Sequence, residues 1–252
     1  MKVSIICVYN KSDVYQNVLM SSLENQDCSF EMFGIDNRSK VFSSAASALN
    51  YGAVRTKGEL LIFVHQDVSF YKSYSLRHLI EIFNSIAEDG DIGGIVGSGF
   101  NTNMNPRIIA GSKSCFLDEV VGSKGFKEDF AYAESVDEFL LVMTRKTYIM
   151  HPFNEKVCSD WHFYGLEQCM NARLHNHKVF VINTAVKHYS PGKIDFRFYW
   201  AQLKLALNYP FFGRVIGTCC DFYSYSFFGL FLEAVKSTLK EYKNVLFKQQ
   251  KR

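Results

Sequence analysis

Proline is scarce, four in 252 residues, and nothing else in the chain resembles a linker, an internal repeat or a low-complexity tract. A hinged pair of domains is therefore not expected, and 48% apolar residues are enough to bury one sizeable core. Cysteine is present in an odd number, seven, with Cys219 and Cys220 adjacent. That count makes no disulfide framework, and Met1 to Asn10 is too short for a signal peptide, so a reducing, cytoplasmic location is expected. Cys158-x-x-x-His162 and His175-x-His177 are isolated pairs, which argues against structural zinc. Both Gly-x-Gly-x-x-Gly and Gly-x-x-x-x-Gly-Lys-Ser/Thr are missing, so no glycine loop cradles a phosphate.

What the chain does carry is a set of apolar strands that stop at polar tips. Gly58 to Asp67, Gly-Glu-Leu-Leu-Ile-Phe-Val-His-Gln-Asp, reads as a buried strand ending in a His and a carboxylate. Alternation would put His65 and Asp67 on one face and point Gln66 away. Asp67 either holds a divalent metal or opens a turn before a helix over Tyr74 to Phe83. Val3 to Val8 predicts a second strand, ending at Tyr9-Asn10, and Val14, Val18, Leu19 and Leu23 give Asp13 to Glu24 a helical spacing. A third strand, Glu31 to Ile35, ends at Asp36-Asn37, and a helix over Ser43 to Arg55 follows. The class is α/β, a Rossmann-like, mostly parallel sheet flanked by helices, with these three tips at one edge. Without glycines to cradle it, the charge of a pyrophosphate would need a cation held by Asp67.

Val-Ser-Ile-Ile-Cys-Val-Tyr-Asn at 3 to 10, Gly-Ile-Asp-Asn at 34 to 37, Asn50-Tyr-Gly-Ala with Gly58 to Asp67, Ser159-Asp160-Trp161 and His188-Tyr-Ser-Pro-Gly192 occur in that order. In this the chain resembles the family 2 nucleotide-sugar glycosyltransferases of the GT-A fold, over roughly residues 1–195. The resemblance implies an inverting transferase that moves a sugar from a nucleoside diphosphate sugar, by default a uridine diphosphate sugar, to a hydroxyl acceptor, with Mn2+ or Mg2+. It places metal on Asp67 and His188. The family's usual Asp-x-Asp is here His65-Gln66-Asp67, which moves His65 to the nucleotide together with Tyr9, Asn10 and Asp36.

Ser159 is expected to cap a helix carrying Phe163, Leu166, Met170 and Leu174 on one face, with Asp160 in its first turn. An ionised carboxylate there either serves only the helix dipole or deprotonates the attacking hydroxyl, and the resemblance implies the second. Trp161 can stack on a sugar. Asp137 and Glu138, before the strand Phe139 to Met143, are expected to face sugar or acceptor, and Asp137 is the competing base. Lys187 and Lys193 flank His188 and either meet diphosphate or stay in solvent.

Residues 196–252 read as a basic, aromatic extension. From Pro191 onward ten Lys or Arg face four Asp or Glu, a net +6, against a net −3 for residues 1–190. Phe228, Leu232, Val235, Leu239, Tyr242 and Leu246 form one helical stripe beside Lys236, Lys240 and Lys243. The longest uncharged run there, Phe222 to Leu232, is far short of the roughly 20 residues a span needs. The stripe lies on an anionic membrane at the inner face of the cell membrane, packs on the catalytic domain, or pairs a homodimer. A membrane-seeking tail fits a lipid-linked or surface-glycan acceptor in polysaccharide or glycoconjugate assembly. Two alternatives remain, a catalytically inactive nucleotide-sugar or membrane-binding module and a sugar-nucleotide pyrophosphorylase. The latter wants a basic glycine-rich loop where only Lys11 is found. Nucleic acid is not an expected partner.

Overall fold

Strand β1 (Val3–Tyr9) is apolar along nearly its whole length because both of its faces are covered. Ile6 faces one core and Ile5 and Cys7 the other, the alternation that a strand imposes. In this computed structural model the described residues are 1–100, 106–110, 129–190, 194–210, 214–215, 223–224 and 227–249. Most of the Gly97 to Lys127 stretch, Lys193, Cys219, Cys220 and the tail residues Phe211, Phe212, Phe222 and Tyr225 lie outside them, as does the side chain of Leu246.

A helical segment, α1 (residues 12–23), follows β1, with a six-residue π turn at Tyr15–Met20 in its middle. Then come β2 (Glu31–Asp36), α2 (Ala45–Ala53), β3 (Leu60–Val64), β4 (Val68–Phe70) and α3 (Ser75–Ile86). Ser44 caps α2 by accepting the Ser47 N–H. The next strands are β5 (Ile92–Gly94), β6 (Val96–Phe100), β7 (Pro106–Ala110), β8 (Phe130–Ala133), β9 (Ser135–Val136) and β10 (Leu140–Thr144). After them lie α4 (Arg145–Met150), α5 (Tyr164–Leu174), β11 (Val179–Ile182), β12 (Val186–His188), α6 (Phe196–Asn208), β13 (Arg214–Val215), β14 (Tyr223–Ser224) and α7 (Phe227–Gln249).

The main sheet runs β2-β1-β3-β10-β5-β11-β8, with β10 and β8 antiparallel to the other five strands. It is the mixed, mostly parallel sheet the sequence predicts. Leu61, Phe63, Leu141 and Val181 pack toward α2 and α5, whereas Leu60, Ile62, Leu140 and Phe180 pack toward α1 and α3. The chain leaves β1 on one side to form β2 and returns on the other as β3. That reversal opens a crevice beyond the carboxyl ends of β1 and β3, the place where such sheets bind ligands.

The last helices are tied to this body. Phe198 and Leu205 of α6 enter the core, and Leu203 and Ala206 pack on Leu230 of α7. Trp200 Nε1 donates to Thr238 Oγ1 at 2.9 Å. Among the described residues no helix is long and apolar enough to cross a membrane.

Candidate active site

A cavity of about 330 Å3 lies at the crevice, lined by residues from β1, β3, the start of α2 and the approach to α5. Of the residues singled out from the sequence, Tyr9, Asn10, His65, Asp67 and Trp161 line it. Asp36, Asp137, Glu138, Asp160 and His188 are not among the lining residues.

Tyr9 stacks on Tyr15 with ring centroids 4.2 Å apart and planes at 12°. Glycine at position 34 leaves room for this, since a Cβ there would press on the Tyr15 hydroxyl. Asn10 is held by Gln66, whose Oε1 accepts the N–H groups of Asn10 and Lys11 at 3.1 and 2.9 Å and whose Nε2 donates to Asn10 Oδ1 at 3.0 Å. Gln66, expected to point away, therefore lines the cavity and ties the tips of β1 and β3 together. The expectation fails because β3 ends at Val64, so strand alternation does not extend to residues 65–67. Asp36 is gripped by Arg38, its carboxyl held below the usual range by the guanidinium hydrogen bonds, the shortest at 2.6 Å. Its neighbour Asn37 is the residue that reaches the cavity.

The short ladder of β4 with β12 sets His188 opposite Val68, and Tyr189 N–H donates to the Asp67 carbonyl at 3.0 Å. His188 Nε2 is thereby 3.3 Å from Asp67 Oδ1, with the side chains 12% and 19% exposed. The His188 ring lies flat on Phe139, centroids 4.8 Å apart. His65 Nδ1 is 3.5 Å from His188 Nε2, and one ligand atom from each of His65, Asp67 and His188 falls within 4.8 Å of the others. Among the described residues no other three His, Cys, Asp or Glu side chains converge in this way.

Burial and then the neighbouring His188 push the His65 pKa down to about 4, so its imidazole is neutral near pH 7. Burial works to raise the Asp67 carboxyl, but the hydrogen bond from His188 and then the His188 charge outweigh it and hold the group below its ordinary range. A neutral imidazole and a carboxylate, with a second imidazole beside them, are donors that fit a divalent cation.

Helix α5 starts at Tyr164, later than the sequence suggests, and Ser159 does not cap it. Asp160 lies in the bend before it, where its Oδ1 accepts the Trp161 N–H at 2.7 Å and its carbonyl accepts the Ala45 N–H at 3.2 Å. The residue preceding α5 is Phe163, buried and in the left-handed region at φ 65°, a conformation that costs about 1 kcal/mol or more for such a side chain. Glu138 takes the capping role. Its Oε1 accepts the Gly165 N–H at 3.2 Å, and the amides of Phe163 and Tyr164 lie on the side that favours its charged form. Burial, then the charge of Asp137, raises the Glu138 carboxyl well above its ordinary range, and the three amides oppose this. Expected to face sugar, Glu138 instead secures a helix start. Asp137 Oδ1 accepts the Phe139 N–H at 3.2 Å.

Tyr164, which no motif singled out, lines the cavity and lies 5% exposed. In the sequence it is one more aromatic at the head of a helix. Its role comes from the fold, which sets its hydroxyl 2.7 Å from His65 Nε2 and 3.1 Å from the Glu138 carbonyl.

Residues 4–189 match the family model described as "Glycosyltransferase like family". A protein of Fuscovulum blasticum, "ATP synthase subunits region ORF 6", is 25% identical over 167 residues, 64% of this chain and 65% of that protein. Similar solved structures include S. aureus TarS 1-349 in complex with UDP-GlcNAc, TM-score 0.55 at 15% identity, covering 82% of this chain and 66% of that one. GalNAc-T7 with UDP, GalNAc and Mn2+ gives 0.57 at 9% identity, covering 82% and 48%. The mannosyltransferase PcManGT of Pyrobaculum calidifontis with GDP-Man and Mn2+ gives 0.53 at 12% identity, covering 80% and 61%. The chain thus spans about two thirds or less of the length of these proteins. At such identities the likeness shows the fold, the GT-A glycosyltransferase architecture.

Proposed function

The chain belongs to the glycosyltransferase-like family, and from that premise we propose that it transfers a sugar from a nucleoside diphosphate sugar to a hydroxyl acceptor with inversion. The observation that carries this reading is the convergence of His65, Asp67 and His188 at a cavity lined by Tyr9 and Trp161. Asp67 and His188 would hold Mn2+ or Mg2+, which when bound neutralises charge building on the departing diphosphate. Tyr9, one face covered by Tyr15, offers its edge or other face to the base, with uridine as the default. Trp161 packs against the sugar. Asp160, beside Trp161, accepts the proton of the attacking hydroxyl, and Asp137 is the second candidate for that base.

Calorimetric titration with uridine, guanosine, cytidine and thymidine diphosphates, with and without Mn2+ and repeated on Asp67→Ala, tests this reading. One nucleotide should bind in a metal-dependent way that the substitution abolishes. Failure of every nucleotide to bind well-folded protein overturns the proposal. A product that retains the anomeric configuration of the donor overturns inversion alone.

For the acceptor, a lipid-linked glycan at an anionic membrane surface is favoured by α7. Phe228, Leu239 and Tyr242 along its stripe are 70%, 56% and 63% exposed, with Leu232 exposed as well, so the stripe is not what packs on α6. Lys236, Lys240 and Lys243 lie beside it, Lys236 sharing its charge with Glu233 at 2.9 Å. Apolar insertion flanked by cations is the pattern of a helix lying in a headgroup layer.

A further inference from the structure

We propose that His65 is the third ligand of the divalent cation, with Tyr164 as the positioning residue that sets its tautomer, so that the site favours Mn2+ and later first-row ions over Mg2+. This rests on the metal-dependent reading above. His65 replaces the first carboxylate of the family's Asp-x-Asp and is expected at the nucleotide, yet one ring nitrogen is bonded to Tyr164 and the other faces His188. Nε2 is turned inward to the Tyr164 hydroxyl at 2.7 Å, and Nδ1 is turned toward His188 and Asp67.

The proton inventory decides which nitrogen carries hydrogen. A phenol has one proton, and Tyr164 Oη lies 3.1 Å from the Glu138 carbonyl, which can only accept. The Tyr164 proton goes there, so the phenol oxygen must accept from His65. Nε2 then carries the hydrogen and Nδ1 keeps its lone pair, aimed at the nitrogen of His188 3.5 Å away. The backbone is pinned too, since His65 N–H donates to the Phe139 carbonyl at 2.9 Å. A ring whose outer N–H is bonded to a fixed acceptor is the arrangement that orients metal-binding histidines elsewhere.

The metal preference follows from the donor set. Mg2+ prefers oxygen ligands and gives up its waters reluctantly, whereas imidazole suits first-row transition ions and Zn2+. Two imidazoles with one carboxylate therefore discriminate between cations that two carboxylates would hold more evenly.

The test uses the full chain stripped with chelator, with no nucleotide and no turnover. Free Mn2+ would be followed by electron paramagnetic resonance, with Mg2+ and Zn2+ as competitors, in wild type, His65→Ala and Tyr164→Phe. Both substitutions should weaken Mn2+ binding about 10–100-fold while the circular dichroism spectrum holds. Zn2+ should displace Mn2+ at lower concentration than Mg2+ does. Because Tyr164 is buried, so that its substitution puts folding at risk, nitrogen-15 imidazole spectra of the metal-free wild type provide a second reading. The Nε2–H tautomer of His65 is expected. An Nδ1–H tautomer, Mn2+ affinity unchanged by His65→Ala, or Mg2+ displacing Mn2+ as readily as Zn2+ overturns the proposal. If wild type binds nucleotide but no Mn2+, this proposal fails and glycosyl transfer stands. If Mn2+ binds through His65 and no nucleotide binds, the transferase reading is the one that fails.

Discussion

Asp160 is the first candidate base and Asp137 the second, and the choice between them needs geometry that a sequence does not give. If Asp160 takes the proton, Asp160→Asn should lower transfer by about 10^2–10^4-fold with nucleotide affinity unchanged. Asp137→Asn should cost much less, and the reverse ranking in steady-state rates would move the assignment to Asp137. His65, Asp67 and His188 were visible as residue types at the ends of strands. The resemblance puts Asp67 and His188 on one metal, but residue patterning alone does not show that they meet, because the ladder that brings His188 to Asp67 is three residues long on each side and has no periodic signature. Gln66 was misread for a related reason. Gln66 lies two residues past the end of β3 at Val64, where strand alternation no longer orients it, and only the hydrogen bonds to Asn10 and Lys11 reveal what the side chain does.

Helix α5 shows how an element can be predicted and still be misplaced. Its apolar spacing is clear in the sequence, but a serine is a good local cap, so the pattern predicts a start at Ser159. The cap comes from Glu138, 27 residues before Gly165, and no local pattern encodes it. A Cβ at position 165 would come within 3.0 Å of Glu138 Cγ, so the glycine admits the carboxyl. Glu138→Ala should destabilise the fold by about 1–2 kcal/mol in urea titration. Glu138→Gln isolates the ionisation. The raised pKa means that wild type is favoured below the unfolded carboxylate range and penalised as pH rises through it toward the native value. The stability of wild type relative to Glu138→Gln should therefore fall as pH rises above 4.5, the ordinary carboxyl value. A constant difference over that rise would show that the three amides hold the carboxyl ionised.

At the scale of the molecule, the alternation of buried residues and three polar strand tips were enough to give the α/β class, and ordered motifs gave the family. The sequence could not show that α6 enters the main core through Phe198 and Leu205, because an aromatic-rich basic segment reads alike whether docked or free. The stripe of α7 was legible, and its exposure leaves a surface to be covered. Flotation of the full chain with vesicles of neutral and of anionic phospholipid should show binding to the anionic ones only. Lys240→Glu with Lys243→Glu should abolish that binding, and Leu239→Ser with Tyr242→Ser should weaken it. Equal flotation of all forms, or a concentration-dependent dimer in sedimentation that the serine pair dissociates, would assign the stripe to something other than lipid.

The ladder of β4 with β12 has a consequence for how the protein is made. His65 and His188 are 123 positions apart, so half of the proposed cation site is synthesised long before its other half exists. A nascent chain that has released only the first three strands can lay down the sheet but holds at most a His and an Asp, too few donors to retain a divalent ion against a competing chelator. On that proposal cation retention begins late, when β12 docks on β4, and the closure of this long loop is among the slower steps available to the chain. Metal uptake during refolding should accordingly lag the growth of helical and sheet signal, making the ion a reporter of the last stitch in the fold.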